Sequence, residues 1–240
     1  MPIRKVWRES RARFLFILAF LLVMTTTRVF YNSQAERVVI ESKNFHEAGM
    51  VAITNILFYF WGFSAMFLGL GGLLRERALG TVDYTLSLPV SRTRWFLYRS
   101  LNGAVQSMAA GLIPALAVPA LAALWGGDYP VGDAFILGLR IGLGGMLFYS
   151  LGLLVSTLIP GDFTSTGIGI ALVFVINTST RVVESLKRLN LQDTIAPKDM
   201  IDRSTHLISG QLPWTGIVFS LLLSLLLSAL AWKVTSARDF

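Results

Sequence analysis

RERALGTVDYTLSLPVSRTRWFLYR, residues 75–99, carries five arginines and is wedged between two long apolar runs. Residues 50–74 before it are apolar apart from Thr54, Asn55 and Ser64, and residues 101–125 after it hold only a few polar side chains. Each run exceeds the roughly 20 residues a helix needs to cross about 30 Å of hydrocarbon. The polar stretch is therefore expected to be a loop in water at one membrane face. It joins two spanning helices and turns its chemistry toward a soluble partner.

The flanks of this loop extend into a chain that is 54% apolar and only 15% charged, too apolar for an ordinary soluble domain of its length. Six runs are expected to span: 14–30, 50–74, 101–125, 134–159, 164–183 and 214–234. In lipid only helices or closed barrels satisfy every backbone group, and these runs lack the period of two of a barrel strand. The expected fold is an all-α integral membrane bundle of six helices, one transmembrane domain over residues 1–240 with no soluble module.

An even number of spans puts both termini on one side, and the basic residues say which. With the amino terminus in the cytoplasm, the inner segments carry twelve: Arg4, Lys5, Arg8, Arg11, Arg13, Arg75, Arg77, Arg92, Arg94, Arg99, Lys233 and Arg238. The outer segments carry six: Arg37, Lys43, Lys187, Arg188, Lys198 and Arg203. Trp7, Trp95, Tyr98 and Trp232 then fall at the inner interface, with Tyr31, Trp125, Tyr129 and Trp214 at the outer one, where aromatic belts belong. A multi-pass protein of the plasma or inner membrane with both termini cytoplasmic is expected.

The net charge of +7 points to lipid headgroups rather than nucleic acid, because the basic residues cluster at span ends and form no single face beside stacking aromatics. Without cysteine there is no disulfide, thiol nucleophile or cysteine metal site. The first apolar run ends in VMTTTRVF, which offers no small-residue cleavage pattern, so it is expected to stay as an uncleaved first span. The basic tail 1–13 places Ile3, Trp7 and Phe14 near one helical face, which suits a helix lying in the inner interface; a disordered tail that only sets orientation is the alternative.

Within the polar loop the local signals spell helix, turn, short helix, proline break, helix. Gly80 can take the left-handed conformation that ends the second span's extension. Thr81 can cap a short helix with Asp83 in its first turn, and Pro89 stops it by pushing Leu88 out of the α region. Ser91 is placed to cap the third span, which opens with Arg92. Val82, Leu86 and Leu88 would then be exposed on a short helix fit for docking. The alternative is a basic loop that only fixes topology.

This loop resembles the corresponding loop of type-2 ATP-binding-cassette export permeases, with an arginine–glutamate pair, a Gly-Thr step, leucines, a Leu-Pro pair and Ser-Arg before the third span. The matching positions are Arg75, Glu76, Gly80, Thr81, Leu86, Leu88, Pro89, Ser91 and Arg92. RESRAR near the amino terminus resembles the family's charged interfacial helix, and the end at Arg238, Asp239 and Phe240 resembles its terminus, with a thinner basic cluster. The resemblance implies a permease subunit of an ATP-driven exporter. That subunit works as a dimer with a second copy or related chain, and two ATPase subunits hold ATP and magnesium. The loop's short helix then acts as the coupling helix, and the first, second and fifth spans line the pathway. The chain holds no G-x-x-x-x-G-K-[ST] phosphate loop and no Gly-Lys pair, so a partner must hydrolyse the ATP and this subunit is no enzyme.

Residues 184–212 are too polar to span, and Val182, Val183, Leu186 and Leu189 suit one face of a helix on the outer surface. In related exporters this region forms short helices that dip into the outer leaflet; a plain surface linker is the alternative. Arg28 and Arg140 lie within two or three turns of the expected outer face, where a long side chain can snorkel to headgroups as an anchor or else meet substrate. Asn55, Asn102, Gln106 and Asn177 either line a pathway or bond across helices, the commoner use. Pro114 and Pro119 are expected to kink the third span. Gly138 and Gly142 form a G-x-x-x-G that more often marks packing within a chain than a dimer seam.

Two other functions fit the residues less well. A secondary transporter driven by an ion gradient needs midplane ionisable groups and usually internal repeats, and neither is seen. A membrane-embedded hydrolase needs clustered His, Asp or Glu, but His46 and His206 lie in separate polar segments and Asp162 beside Pro160 and Gly161 reads as a turn residue. The substrate itself is not legible in so apolar a bundle.

Overall fold

The computed structural model describes residues 2–38, 60–70, 80, 91–125, 129–160, 162–182 and 214–237. The described elements are helices: α1 (Pro2–Val38), α2 (Phe60–Gly69), α3 (Arg92–Leu124), α4 (Val131–Gly144), α5 (Met146–Leu158), α6 (Asp162–Val182) and α7 (Trp214–Ala237). Four stretches are long and apolar enough to cross a membrane: Ser10–Tyr31, Thr93–Leu124, Val131–Leu158 and Trp214–Ala237. They contain the expected first, third, fourth and sixth spans to within a few residues. Of the expected second and fifth spans, the apolar helices Phe60–Gly69 and Thr164–Val175 are seen, and residues 50–59 and 71–74 lie outside the described residues.

The amino-terminal tail is helical but is not a separate element. No Gly or Pro interrupts the sequence from Ile3 to Val38, so α1 runs through 37 residues without a break. At 1.5 Å per residue it is about 55 Å long, well beyond the hydrocarbon thickness. Trp7 and Phe14, expected on one face, sit with ring centroids 6.1 Å apart.

α1 and α3 lie side by side and parallel. Ser10 meets Asn102 and Gln106 at one end, and the Phe30 ring meets the Trp125 ring edge-on at the other, with centroids 5.6 Å apart. Pro114 and Pro119 both sit inside α3, which runs on as one helix to Leu124.

The fourth span differs from the continuous helix expected over 134–159. It begins at Val131 and is broken at Gly145, whose φ of −91° and ψ of 3° leave the helical region. In an unbroken helix the Phe148 amide would bond the Gly144 carbonyl. It bonds the Gly145 carbonyl instead, at 2.9 Å, and the Gly144 carbonyl accepts from the Ser220 hydroxyl of α7. Only glycine fits here: a Cβ built at Gly145 would overlap the edge of the six-membered ring of Trp61, which packs directly on the break.

This broken span is the centre of the bundle, 72% buried against 22–39% for the other three long spans. In lipid the helices gain from close van der Waals contact rather than from leaving water, so small residues sit where backbones approach. Gly138 packs on Leu112 and Ala115, and Gly142 on Met108, all of α3. The G-x-x-x-G thus serves packing within the chain.

Candidate functional site at the amino-terminal end of the bundle

The last described residue of the second expected span is Leu70, whose amide still closes onto the Met66 carbonyl at 3.1 Å. Its own carbonyl lies past the helix end, among the acceptors a helix leaves without internal donors and at the negative end of the helix dipole. Two arginines serve it. Arg13 of α1 donates through Nη1 at 2.9 Å, and Arg99 of α3 donates through Nη2 at 3.1 Å. Arg99 also lies over the Trp95 ring, 5.6 Å from its centroid, which fixes the guanidinium from a second side. Leu70 and Ser91 bracket residues 71–90, so the two guanidiniums fasten both flanks of the polar loop to each other and to α1.

The loop's far flank starts as the sequence indicates. Ser91 is extended, with φ −62° and ψ 148°, and its side chain accepts from the Arg94 amide at 3.3 Å as an N-cap for α3, which opens at Arg92. Gly80 has the expected left-handed backbone, φ 69°, in an exposed turn. Arg75, Glu76, Thr81, Val82, Asp83, Leu86, Leu88 and Pro89 lie outside the described residues.

One turn deeper, a polar knot ties α1 to α3. Ser10 Oγ donates to the Val6 carbonyl at 3.0 Å and accepts from Asn102 Nδ2 at 2.9 Å and Gln106 Nε2 at 2.7 Å. Asn102 and Gln106 therefore bond across helices, the commoner of the two uses expected. Tyr149 of α5 closes the same end by donating to the Ser100 carbonyl at 2.9 Å. Behind Leu70, Gly69 and Gly152 bring the backbones of α2 and α5 into direct contact, since a Cβ on either would strike the other helix's main chain. Met66 lies against Gly169 of α6. The short stretch from Met66 to Leu70 thus touches α1, α3, α5 and α6.

Arg28 and Arg140 part company. Arg28 is half-buried over the Tyr31 ring, 5.6 Å from its centroid, and its Nε finds no hydrogen-bond partner among the described residues. Arg140 turns inward rather than out to headgroups: it is 3% exposed, near the buried Tyr129. Burial, with the Asp133 carboxylate nearby, pushes the Tyr129 phenol above its ordinary pKa and keeps it neutral. Asn55 and the Asn177 side chain lie outside the described residues.

The clamp of Arg13 and Arg99 on Leu70, the bonding of Ser10 and the placement of Trp61 have no local signal in the sequence. A signal existed for Ser220, Ser224 and Ser228, which recur every fourth residue in a leucine-rich helix and so share one face. Chemically, the converging groups are guanidiniums, amides and hydroxyls spent on carbonyls and on one another. They hold helix ends in register.

A family model described as ABC-2 family transporter protein matches residues 3–234, nearly the whole chain, and the chain belongs to that family. It is a multi-pass membrane permease subunit of an ABC transporter. No curated protein matches it.

Proposed function

We propose that this ABC-2 family permease is the pathway-forming subunit of an ATP-driven exporter, with six spans, both termini and residues 75–99 in the cytoplasm, and residues 32–49 and 184–212 outside. Two copies, or one copy and a related chain, enclose an apolar cleft. Two separate ATPase subunits hold ATP and magnesium. The short helix around Val82, Leu86 and Leu88 docks on the ATPase, with Arg75, Glu76, Thr81, Asp83 and Arg92 around it giving register and association rate.

The observation that carries this reading is the shared hydrogen bonding of Arg13 and Arg99 to the Leu70 carbonyl. A loop that merely fixed topology would have no need of two charged clamps at its root. A loop that passes force must have its root fixed to the helices it moves. When the ATPase pushes on 75–99, the clamp carries the displacement into α1 and α3 together, and the Gly69–Gly152 contact carries it into α5. Arg28, with Tyr31, anchors the outer end of α1 at the headgroup level, and Arg140 fixes the outer half of the fourth span from inside.

The test is purification of the tagged chain from its own membranes, followed by identification of what co-elutes. An ATPase with a phosphate-loop motif, bound at a one-to-one ratio of ATPase to permease, is expected. A chain that elutes without one, and whose transport is driven by an ion gradient without ATP, would overturn the reading.

A further inference from the structure

The break in the fourth span separates two packing groups. Its outer half, α4, packs chiefly on α3, and its inner half, α5, packs chiefly on α7. The inner half is held by a hydroxyl ladder. Ser150 and Ser224 share a hydrogen bond at 2.5 Å, Ser228 donates to Ser150 at 3.2 Å, and Ser224 reaches the Met146 carbonyl at 3.4 Å. The ladder ends at Ser220 on the Gly144 carbonyl, the backbone group that the break sets free. A break whose orphaned acceptor is already served can flex without exposing an unpaired carbonyl in the core.

Trp61 occupies that break. Its side chain is 1% exposed, its ring fills the space of a Gly145 side chain, and its Nε1 donates to the Ser107 carbonyl of α3 at 3.1 Å. Trp61 and Leu70 lie nine residues, or about 13 Å, apart along α2. The helix clamped at the root of the polar loop therefore also carries, nine residues earlier, the wedge in the centre of the bundle.

We propose that Gly144–Gly145 is a hinge at which the α4 half of the fourth span pivots against the α5 half, and that Trp61 is the positioning residue that sets its angle from the loop-bearing helix. The nucleotide drive of this hinge rests on the ATP-coupled reading above; the hinge itself does not. Displacement of α2 moves the Trp61 ring against Gly145 and tilts α4, while α5 stays bound to α7.

Spin labels on the cysteine-free chain test it, with labelled copies diluted in unlabelled ones. Gly132→Cys with Val218→Cys reports the outer half against α7, and Leu158→Cys with Lys233→Cys reports the inner half. In the permease alone the outer pair should give the broader distance distribution. In the complex, ATP with vanadate should shift the outer pair and leave the inner pair in place. Trp61→Ala with Gly145→Ala removes the wedge and lets the helix run through, so the outer pair should narrow and lose its response, while a label at Arg94→Cys beside the loop still responds. Trp61→Phe keeps the wedge without the bond to Ser107 and should behave as the native chain. Equal widths for the two native pairs, or a double variant as broad and responsive as the native chain, overturns the hinge. A native outer pair that is broad but indifferent to nucleotide, with an equally indifferent label at position 94, keeps the hinge and overturns the ATP-coupled reading instead.

Discussion

Arg13 and Arg99, from the first and third helices, donate to the same backbone oxygen, the carbonyl of Leu70. The pair makes an energetic signature that separate contacts would not. With either arginine gone, the other still serves the carbonyl; with both gone, a helix-end acceptor is orphaned. Arg13→Met and Arg99→Met should each cost ~1 kcal/mol, and the double variant should exceed their sum by ~0.5–2 kcal/mol. Thermal unfolding in detergent across the four proteins checks this, and strictly additive losses would contradict it.

The serine ladder makes a graded prediction. Ser228→Ala removes one interhelical hydroxyl bond and should cost ~0.6 kcal/mol, the mean for such bonds in membranes. Ser220→Ala leaves the Gly144 carbonyl unserved at the helix break and should cost more, ~1–3 kcal/mol. Unfolding of both variants in the same mixed micelles gives the order.

Steric intolerance should follow the backbone contacts rather than the number of glycines. Gly152→Ala sets a methyl against the Met66 carbonyl region, whereas Gly132→Ala points into open space. The first should lower stability by ~1–3 kcal/mol or more and cut the yield of folded protein; the second should be silent. Equal yields would mean that α2 and α5 do not cross at Gly69 and Gly152.

What the sequence made legible were features set by neighbours along the chain: apolar runs of spanning length, the Ser91 cap, the left-handed Gly80, and the close-packing role of Gly138 and Gly142. What it hid depends on residues brought together from far apart. Nothing local distinguishes Arg13 from Arg11, since only the meeting of α1 with the end of α2 gives Arg13 a carbonyl to serve. The Gly144–Gly145 pair was visible, yet a glycine pair in an apolar run reads as continuous helix until Trp61 is seen to fill the gap. The flat tail helix expected for 1–13 was a depth argument from Trp7, and depth does not say whether a helix bends.

The proposed topology rests on the asymmetry of basic residues. In intact cells, a membrane-impermeant thiol reagent should label Asn44→Cys and spare Ser87→Cys. Labelling at 87 without labelling at 44 would invert the orientation and remove the loop from the ATPase's side.

The central claim is that the loop rooted at Leu70 docks on the ATPase and drives the spans. Leu86→Asp would force an unpaired charge into an apolar contact, a penalty on the order of several kcal/mol, whereas Pro89→Ala should leave docking intact and loosen the link to α3. The most direct measurement is the amount of ATPase that co-purifies with each variant once correct membrane insertion is established. The account predicts that Leu86→Asp comes away free of ATPase while Pro89→Ala retains it; a full complement of ATPase on Leu86→Asp, with normal nucleotide-driven motion at position 94, would contradict it.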